Sequence, residues 1–131
     1  MGTYPKIGFT ALFSIFAVVL MLVHPALAEK SRVVNAVISK GSAGTFRVDA
    51  TIRHPDTGWD HYANNFQILD GAGNVLATRI LVHPHVNEQP FTRSQGGIVI
   101  PANIKQVFVR SNCSVDGDGV ELFKLDVPGR N

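Results

Sequence analysis

The sequence has little cysteine. Cys113 is the only one among 131 residues, so no disulfide can form within the chain. A domain of this size must therefore be stabilised by an apolar core, which a hydrophobic content of 45% can supply. Three interpretations of the single thiol remain open: burial as an inert side chain, metal ligation, or pairing with another molecule.

An excess of charge of one sign is also lacking. The chain carries 12 Lys and Arg against 10 Asp and Glu, and Lys6 is the only one of these within residues 1–28. Residues 29–131 thus have 11 basic and 10 acidic side chains, a net charge of +1. This balance gives no reason to expect nucleic acid or an anionic membrane as partner.

Common catalytic motifs are missing as well. The sequence has no serine–histidine–acid order, no glycine-rich phosphate loop before a helix and no obvious pair of carboxylates for a cleft. The segment VDGDG contains Asp116 and Asp118 but is too short for a calcium loop, so it indicates a hairpin turn. Hydrolase chemistry has little support.

The first residues form a secretory signal. The segment MGTYPKIGFTALFSIFAVVLMLVHPALAEK has a lysine near its start, an apolar run and the small-residue pattern Ala26-Leu27-Ala28. We expect a signal peptide at 1–28 and one domain at 29–131, with an uncleaved anchor as the alternative. No cysteine stands at the cleavage point, which argues against a lipoprotein. We expect a periplasmic or secreted protein with no stable membrane anchor after cleavage.

Glycine, proline and Asx residues divide the domain into short segments rich in Val, Ile, Phe and Thr, and none has a sustained helical period. Seven strands are predicted: SRVVNAVIS, GTFRVDATIR, HYANNFQIL, VLATRILVH, FTRSQGGIVI, IKQVFVRSN and VELFKLDV. Seven short strands in about a hundred residues are typical of an all-β antiparallel sandwich of the immunoglobulin or fibronectin-III type. A closed barrel is the alternative.

Strand order predicts where the histidines lie. Consecutive antiparallel strands reverse direction, so the loops at 54–61, 83–90 and 113–119 should meet at one end of the sandwich. All four histidines of the domain lie in these loops. The opposite end, with the DGAGN hairpin and IPAN, is mostly turn residues.

This clustering favours a transition-metal site. His83 and His85, on either side of Pro84, should project to one face, and such a pair is a common half of a metal site. His54 follows the inward phase of the second strand, His61 opens the third, and Cys113 follows the inward phase of the sixth. We predict copper, zinc or iron bound by His54, His61, His83 and His85, with or without Cys113. The alternative is that the histidines only cap strand ends by hydrogen bonding.

The same loops offer groups for binding a protein. Trp59 and Tyr62 flank the histidines, and an aromatic residue at a loop tip can anchor a partner or cover the end of the core. Glu88 and Arg93 are predicted to form an ion pair across a bend. An interaction or carrier module that docks a periplasmic protein through this end is therefore the second hypothesis.

Two segments, GWDHYANNFQILD and TRILVHPHVNEQPFTRS, resemble a family of small exported bacterial proteins. The likeness covers nearly the whole domain and implies an exported β-sandwich, but it carries over no function.

Two shorter likenesses imply chemistry. HPDTGWDHY with CSVDG is similar to desulfoferrodoxin, a superoxide reductase sandwich whose iron is held by four histidines and one cysteine. That resemblance implies His54, His61 and Cys113 as ligands, although Asp116 stands where the last histidine belongs. Superoxide reduction is thus the third hypothesis. ATIRHPDTGW resembles the sandwich subunit of the sulfur-oxidation carrier complex, which implies protein binding without catalysis.

Overall fold

The computed structural model describes residues 2–3 and 29–131. The predicted signal peptide therefore lies outside the described residues, apart from two positions. In the part of the chain that is described, no helix has the length and apolar character needed to span a bilayer.

Strands separated by turns make up the domain. Their bounds are β1 Arg32–Lys40, β2 Phe46–Arg53, β3 Ala63–Leu69, β4 Val75–Ile80, β5 Phe91–Ile98, β6 Gln106–Cys113, β7 Gly117–Asp118 and β8 Phe123–Asp126. A 3-10 turn at Ser42–Gly44 joins β1 to β2, with positive φ angles at Ala43 and Gly44. The seven predicted strands are confirmed, and β7 is an additional short one.

The strands form two antiparallel sheets. One has the order β1-β2-β5, and the other has the order β4-β3-β6, with β7 and β8 both paired to the far edge of β6. The described strands do not close into one ring, so the barrel alternative is wrong. The prediction of an immunoglobulin-like or fibronectin-III-like sandwich is confirmed.

Alternation along the strands builds the core. On β2, the side chains of Phe46, Val48, Ala50 and Ile52 are buried, while Arg47 and the other intervening residues face outward. This period of two is that of a sheet with one wet face. The core cluster contains Val33, Ala36, Phe46, Val48, Ala50, Ile52, Ala63, Phe66, Ile68, Leu81, Phe91, Ile98, Ile100, Val107, Val109, Leu125 and Val127.

The last predicted strand, VELFKLDV, is only half formed. β8 begins at Phe123, and Val120 and Leu122 are exposed. Gly119 explains the break, because its N–H donates to the Ser111 carbonyl at 2.8 Å while its backbone lies against the Ser31 carbonyl. A Cβ at position 119 would lie 2.4 Å from that oxygen. The chain thus passes close to β1 before it rejoins the sheet.

The three histidine-bearing loops meet at one end, as strand order predicts. The His54 N–H donates to the Gln89 side-chain oxygen at 3.0 Å, and the His85 N–H donates to Asp56 at 2.8 Å. The Ser114 N–H donates to the Tyr62 carbonyl at 2.9 Å. We call the meeting point of loops 54–62, 82–90 and 113–119 the histidine end.

Candidate metal site

Four side chains that can ligate a metal converge at the histidine end. They are His54, His61, Cys113 and Asp116, and one potential ligand atom from each lies within 4.8 Å of the others. The inward phases of two strands supply the first and third. His54 continues the buried face of β2, and Cys113 ends β6 in phase with buried Val107 and Val109.

The loops supply the other two side chains. An isolated bridge between Gly58 and His61 closes a tight turn that brings the His61 ring against the His54 ring, with centroids 4.9 Å apart. Asp116 lies in the turn between β6 and β7, and Gly117 follows it with a φ of 71°. Glycine adopts this left-handed conformation without steric cost.

Asp116 joins the group through one carboxylate oxygen. Its Oδ2 lies 3.1 Å from His61 Nε2 and 3.6 Å from Cys113 Sγ, and both of those groups donate to it. The Val115 N–H also donates to Cys113 Sγ at 3.4 Å. In a tetrahedral zinc site, ligand atoms lie about 3.3 to 3.7 Å apart, given zinc bonds of about 2.0 to 2.3 Å. The spacing of these three atoms is therefore close to that of a tetrahedral site.

His54 presents one free ring nitrogen. Its Nδ1 lies 2.6 Å from Asp56 Oδ1, and since a carboxylate only accepts hydrogen bonds, the ring nitrogen donates. Nε2 is then the nitrogen left to act as ligand. It is buried and has no hydrogen-bond partner. Buried polar atoms without partners are uncommon and costly, so this atom marks a place where a ligand is expected.

The group is closed on one side and open on the other. His54 and Cys113 have at most 1% of their surface exposed, whereas the side chains of His61 and Asp116 are 23% and 20% exposed. An ion would reach the group past the latter two residues.

The second histidine pair lies beside this group, not in it. The rings of His83 and His85 are 4.5 Å apart, as expected for residues that project to one face. His83 is exposed, and its Nδ1 bonds the Pro84 carbonyl at 2.9 Å. His85 is buried and stacks on Phe91 at 3.8 Å between centroids. Whether this pair contributes to metal binding stays a prediction.

His85 is held neutral. Arg93 Nη2 donates to its Nε2 at 2.9 Å, so the ring proton is on Nδ1, which is 4.0 Å from Asp56 Oδ2 and makes no hydrogen bond. Burial lowers the pKa of His85 below its ordinary 6.5, and the nearby charge of Arg93 lowers it further.

The predicted pair of Glu88 and Arg93 is present. Both guanidinium NH2 groups donate to the carboxylate at 3.3 Å. The hydrogen bond from Arg93 lowers the pKa of Glu88, which lies in solvent. The pair anchors the outer side of the loop that carries His85.

Trp59 stands at the rim of the histidine end. It is 67% exposed, so it does not cover the core, and its ring meets that of Tyr62 edge-on with centroids 5.6 Å apart. Val115, in the neighbouring turn, is 61% exposed. These side chains leave an apolar surface beside the open side of the metal group.

Sequence reasoning missed two carboxylates. Asp56 and Asp116 lie in Pro- and Gly-containing loops, where aspartate usually serves turn geometry. The spacing of Asp116 was a usable signal, because it follows Cys113 by three residues, as does the histidine of desulfoferrodoxin. Asp56 gave no such signal, since its three partners come from separate parts of the chain.

Comparison with known proteins gives one relative. A protein of Halomicrobium mukohataei with the name "Putative lipoprotein" is 31% identical over 98 residues, which are 75% of this chain and 48% of that protein. The chain thus spans about half the length of the relative. No family model matches the chain, and no solved structure is significantly similar to it.

Proposed function

We propose that the protein is an exported, non-catalytic binding protein that holds one transition-metal ion at its histidine end. The ligands in this proposal are His54, His61, Cys113 and Asp116. Two imidazoles, a thiolate and a carboxylate in near-tetrahedral spacing favour zinc over copper or iron. The observation that carries the proposal is the buried, unpartnered Nε2 of His54.

Export is supported by two observations. Residues 1–28 have the pattern of a secretory signal, and the relative from Halomicrobium mukohataei has a name that implies export. A transition metal held by a protein without disulfides would also fit a periplasmic or secreted domain, where a structural ion can replace a covalent link.

The test is metal content. The protein, purified without a histidine tag, should contain or take up one equivalent of zinc, measured by plasma mass spectrometry and titration. His61→Ala and Cys113→Ser should each lose that ion. His83→Ala is the matched control, because this histidine is exposed and lies outside the group, and it should bind zinc like the wild type. A wild type that takes up no metal would contradict the proposal.

The same measurement decides between the four-residue site and the wider histidine set. Loss of metal in a His83→Ala, His85→Ala double variant, with retention in His61→Ala, would move the site to the second pair. Preference for copper or iron in competition with zinc would change the identity of the ion but not its ligands.

The likeness to desulfoferrodoxin is only partly matched by the geometry. His54, His61 and Cys113 do come together, but the fourth member of the group is Asp116. Among the described residues, two histidines lie in this group where the reductase centre needs four. Binding is therefore favoured over superoxide reduction, and a colourless preparation without iron would exclude the latter.

A second candidate function is docking of a periplasmic protein. The observation that favours it is the exposed Trp59, which lies beside exposed Val115 at the rim. Exposed tryptophan is frequent among residues that dominate protein interfaces. In that case Trp59→Ala would weaken retention of the partner in a pull-down while metal content stayed unchanged.

A further inference from the structure

The carboxylate of Asp56 is the most connected polar group at the histidine end. Its Oδ1 accepts from His54 Nδ1 at 2.6 Å and from the Ala63 N–H at 3.0 Å, and its Oδ2 accepts from the His85 N–H at 2.8 Å. The side chain is fully buried. Three segments of the chain thus converge on one carboxylate.

These contacts fix which nitrogen of His54 carries the ring proton. A neutral imidazole has one N–H and one lone pair, and in water the proton exchanges between the two nitrogens. Because Asp56 Oδ1 can only accept, the proton stays on Nδ1 and the lone pair stays on Nε2. Which nitrogen binds a metal is set by the hydrogen bond that the other one makes.

The carboxylate cannot easily turn away. Rotation would leave the buried N–H of Ala63 or of His85 without an acceptor, and each unpaired buried donor costs about 1 to 3 kcal/mol. The loop that carries His85 is itself held, since the ring stacks on Phe91 and accepts from Arg93. The orientation of His54 is therefore determined from several sides.

We infer that Asp56 is a positioning residue that presets the Nδ1–H tautomer of His54, so that Nε2 is ready to bind the ion before the ion arrives. This inference rests on the proposed metal function for its purpose. Outer carboxylates that orient ligating histidines typically change metal affinity by about 10- to 100-fold when removed.

Gln89 provides the matched control. Its side chain bonds the His54 N–H at 3.0 Å and the His85 carbonyl at 3.0 Å, so it ties together the same two loops as Asp56. It makes no hydrogen bond to the His54 ring. Gln89→Ala should therefore loosen the loops without changing the tautomer, whereas Asp56→Asn can present an NH2 group to Nδ1 and favour the Nε2–H form.

The first experiment reads the tautomer directly. Long-range ¹H–¹⁵N NMR spectra of the metal-free wild type should show His54 protonated at Nδ1 and unprotonated at Nε2. The Gln89→Ala variant should give the same pattern, and Asp56→Asn should shift the proton to Nε2. A wild-type His54 protonated at Nε2 would overturn the inference, and this result does not require any variant to fold.

The second experiment measures affinity with Co²⁺, whose visible absorption reports thiolate and imidazole ligation. Asp56→Asn should weaken Co²⁺ binding by about 10- to 100-fold while it retains the wild-type spectrum at saturation. Gln89→Ala should bind nearly as tightly as the wild type. Equal weakening in both variants would show a merely structural role. A wild type with the Nδ1–H tautomer that binds no Co²⁺ would refute the metal function but leave the control of the tautomer supported.

Discussion

Each end of the sandwich is organised around an aspartate that accepts three hydrogen bonds. At the histidine end, Asp56 is buried and bonds His54, Ala63 and His85, which belong to separate parts of the chain. At the other end, Asp70 lies in solvent and bonds only Ala72 and Asn74 of its own turn. Equal numbers of hydrogen bonds thus serve a long-range junction in one case and a local turn in the other.

The turn end is also fully satisfied. The Asn74 side chain donates to Asp70 and is the main cause of its lowered pKa. Arg130 donates to the carbonyls of Ile100, Pro101 and Ile104. The histidine end instead retains His54 Nε2 and His85 Nδ1 without partners. The difference indicates that one end completes the fold and the other is arranged for a ligand.

The comparison can be broken most directly by removing each aspartate. Asp56→Ala leaves three buried donors without an acceptor, so we expect it to lower the free energy of unfolding by about 3 kcal/mol or more. Asp70→Ala exposes its donors to water, which replaces the carboxylate, and should have a small effect. Urea unfolding of both variants gives the two values. Equal losses would show that burial does not separate the two ends.

Metal should stabilise the protein through the histidine end alone. An ion that binds only the folded state adds about 2.7 kcal/mol when its free concentration is 100 times the Kd. We therefore expect excess zinc to raise the melting temperature of the wild type and of Asp70→Ala, but not that of Cys113→Ser. A rise in Cys113→Ser as large as that in the wild type would place the zinc elsewhere.

Acid should affect the two ends in different pH ranges. His85 has a lowered pKa in the folded protein, so the unfolded chain binds a proton near pH 6.5 while the folded chain does not. The free energy of unfolding should therefore fall as the pH drops below about 6.5. Asp70 has a pKa lowered from 3.8, so its contribution is kept above that pH and lost only as the pH falls through the folded value.

Unfolding titrations at about pH 7.5 and about pH 5.5 test the first of these ranges. His85→Gln keeps a neutral polar side chain that does not titrate, so its slope with pH should be flatter than that of the wild type. A slope unchanged by this substitution would show that His85 does not carry the effect.

The smallest expected effect is that of the rim. Trp59 is exposed, so Trp59→Ala should change the free energy of unfolding by no more than about 0.5 kcal/mol. A large loss would mean that Trp59 supports the histidine end and is not free for a partner. Thermal unfolding with the conservative variant Trp59→Phe beside it separates loss of packing from loss of the indole.

Patterns local in the sequence predicted much of the fold. The alternation from Phe46 to Ile52 identified the buried face of β2, and the same phase placed His54 and Cys113 inward. Counting strand reversals brought three loops together without any knowledge of packing. These predictions succeeded because a strand has a period of two and antiparallel neighbours reverse direction.

The parts that were not predicted depend on contacts between distant residues. Asp56 has the same composition cues as any turn aspartate, and its role follows only from bonds to Ala63 and His85. The break before β8 arises where Gly119 meets the Ser31 carbonyl, almost ninety positions earlier. No periodicity within a segment reports such an encounter.

Trp59 is the only tryptophan in the chain, and it stands two residues from His61 with most of its indole in water. Its fluorescence therefore comes from a single position at the open side of the proposed site, with no competing signal from the rest of the molecule. Entry of a quenching ion such as Cu²⁺, or arrival of another protein at the rim, should be visible as a change in emission from the unlabelled protein.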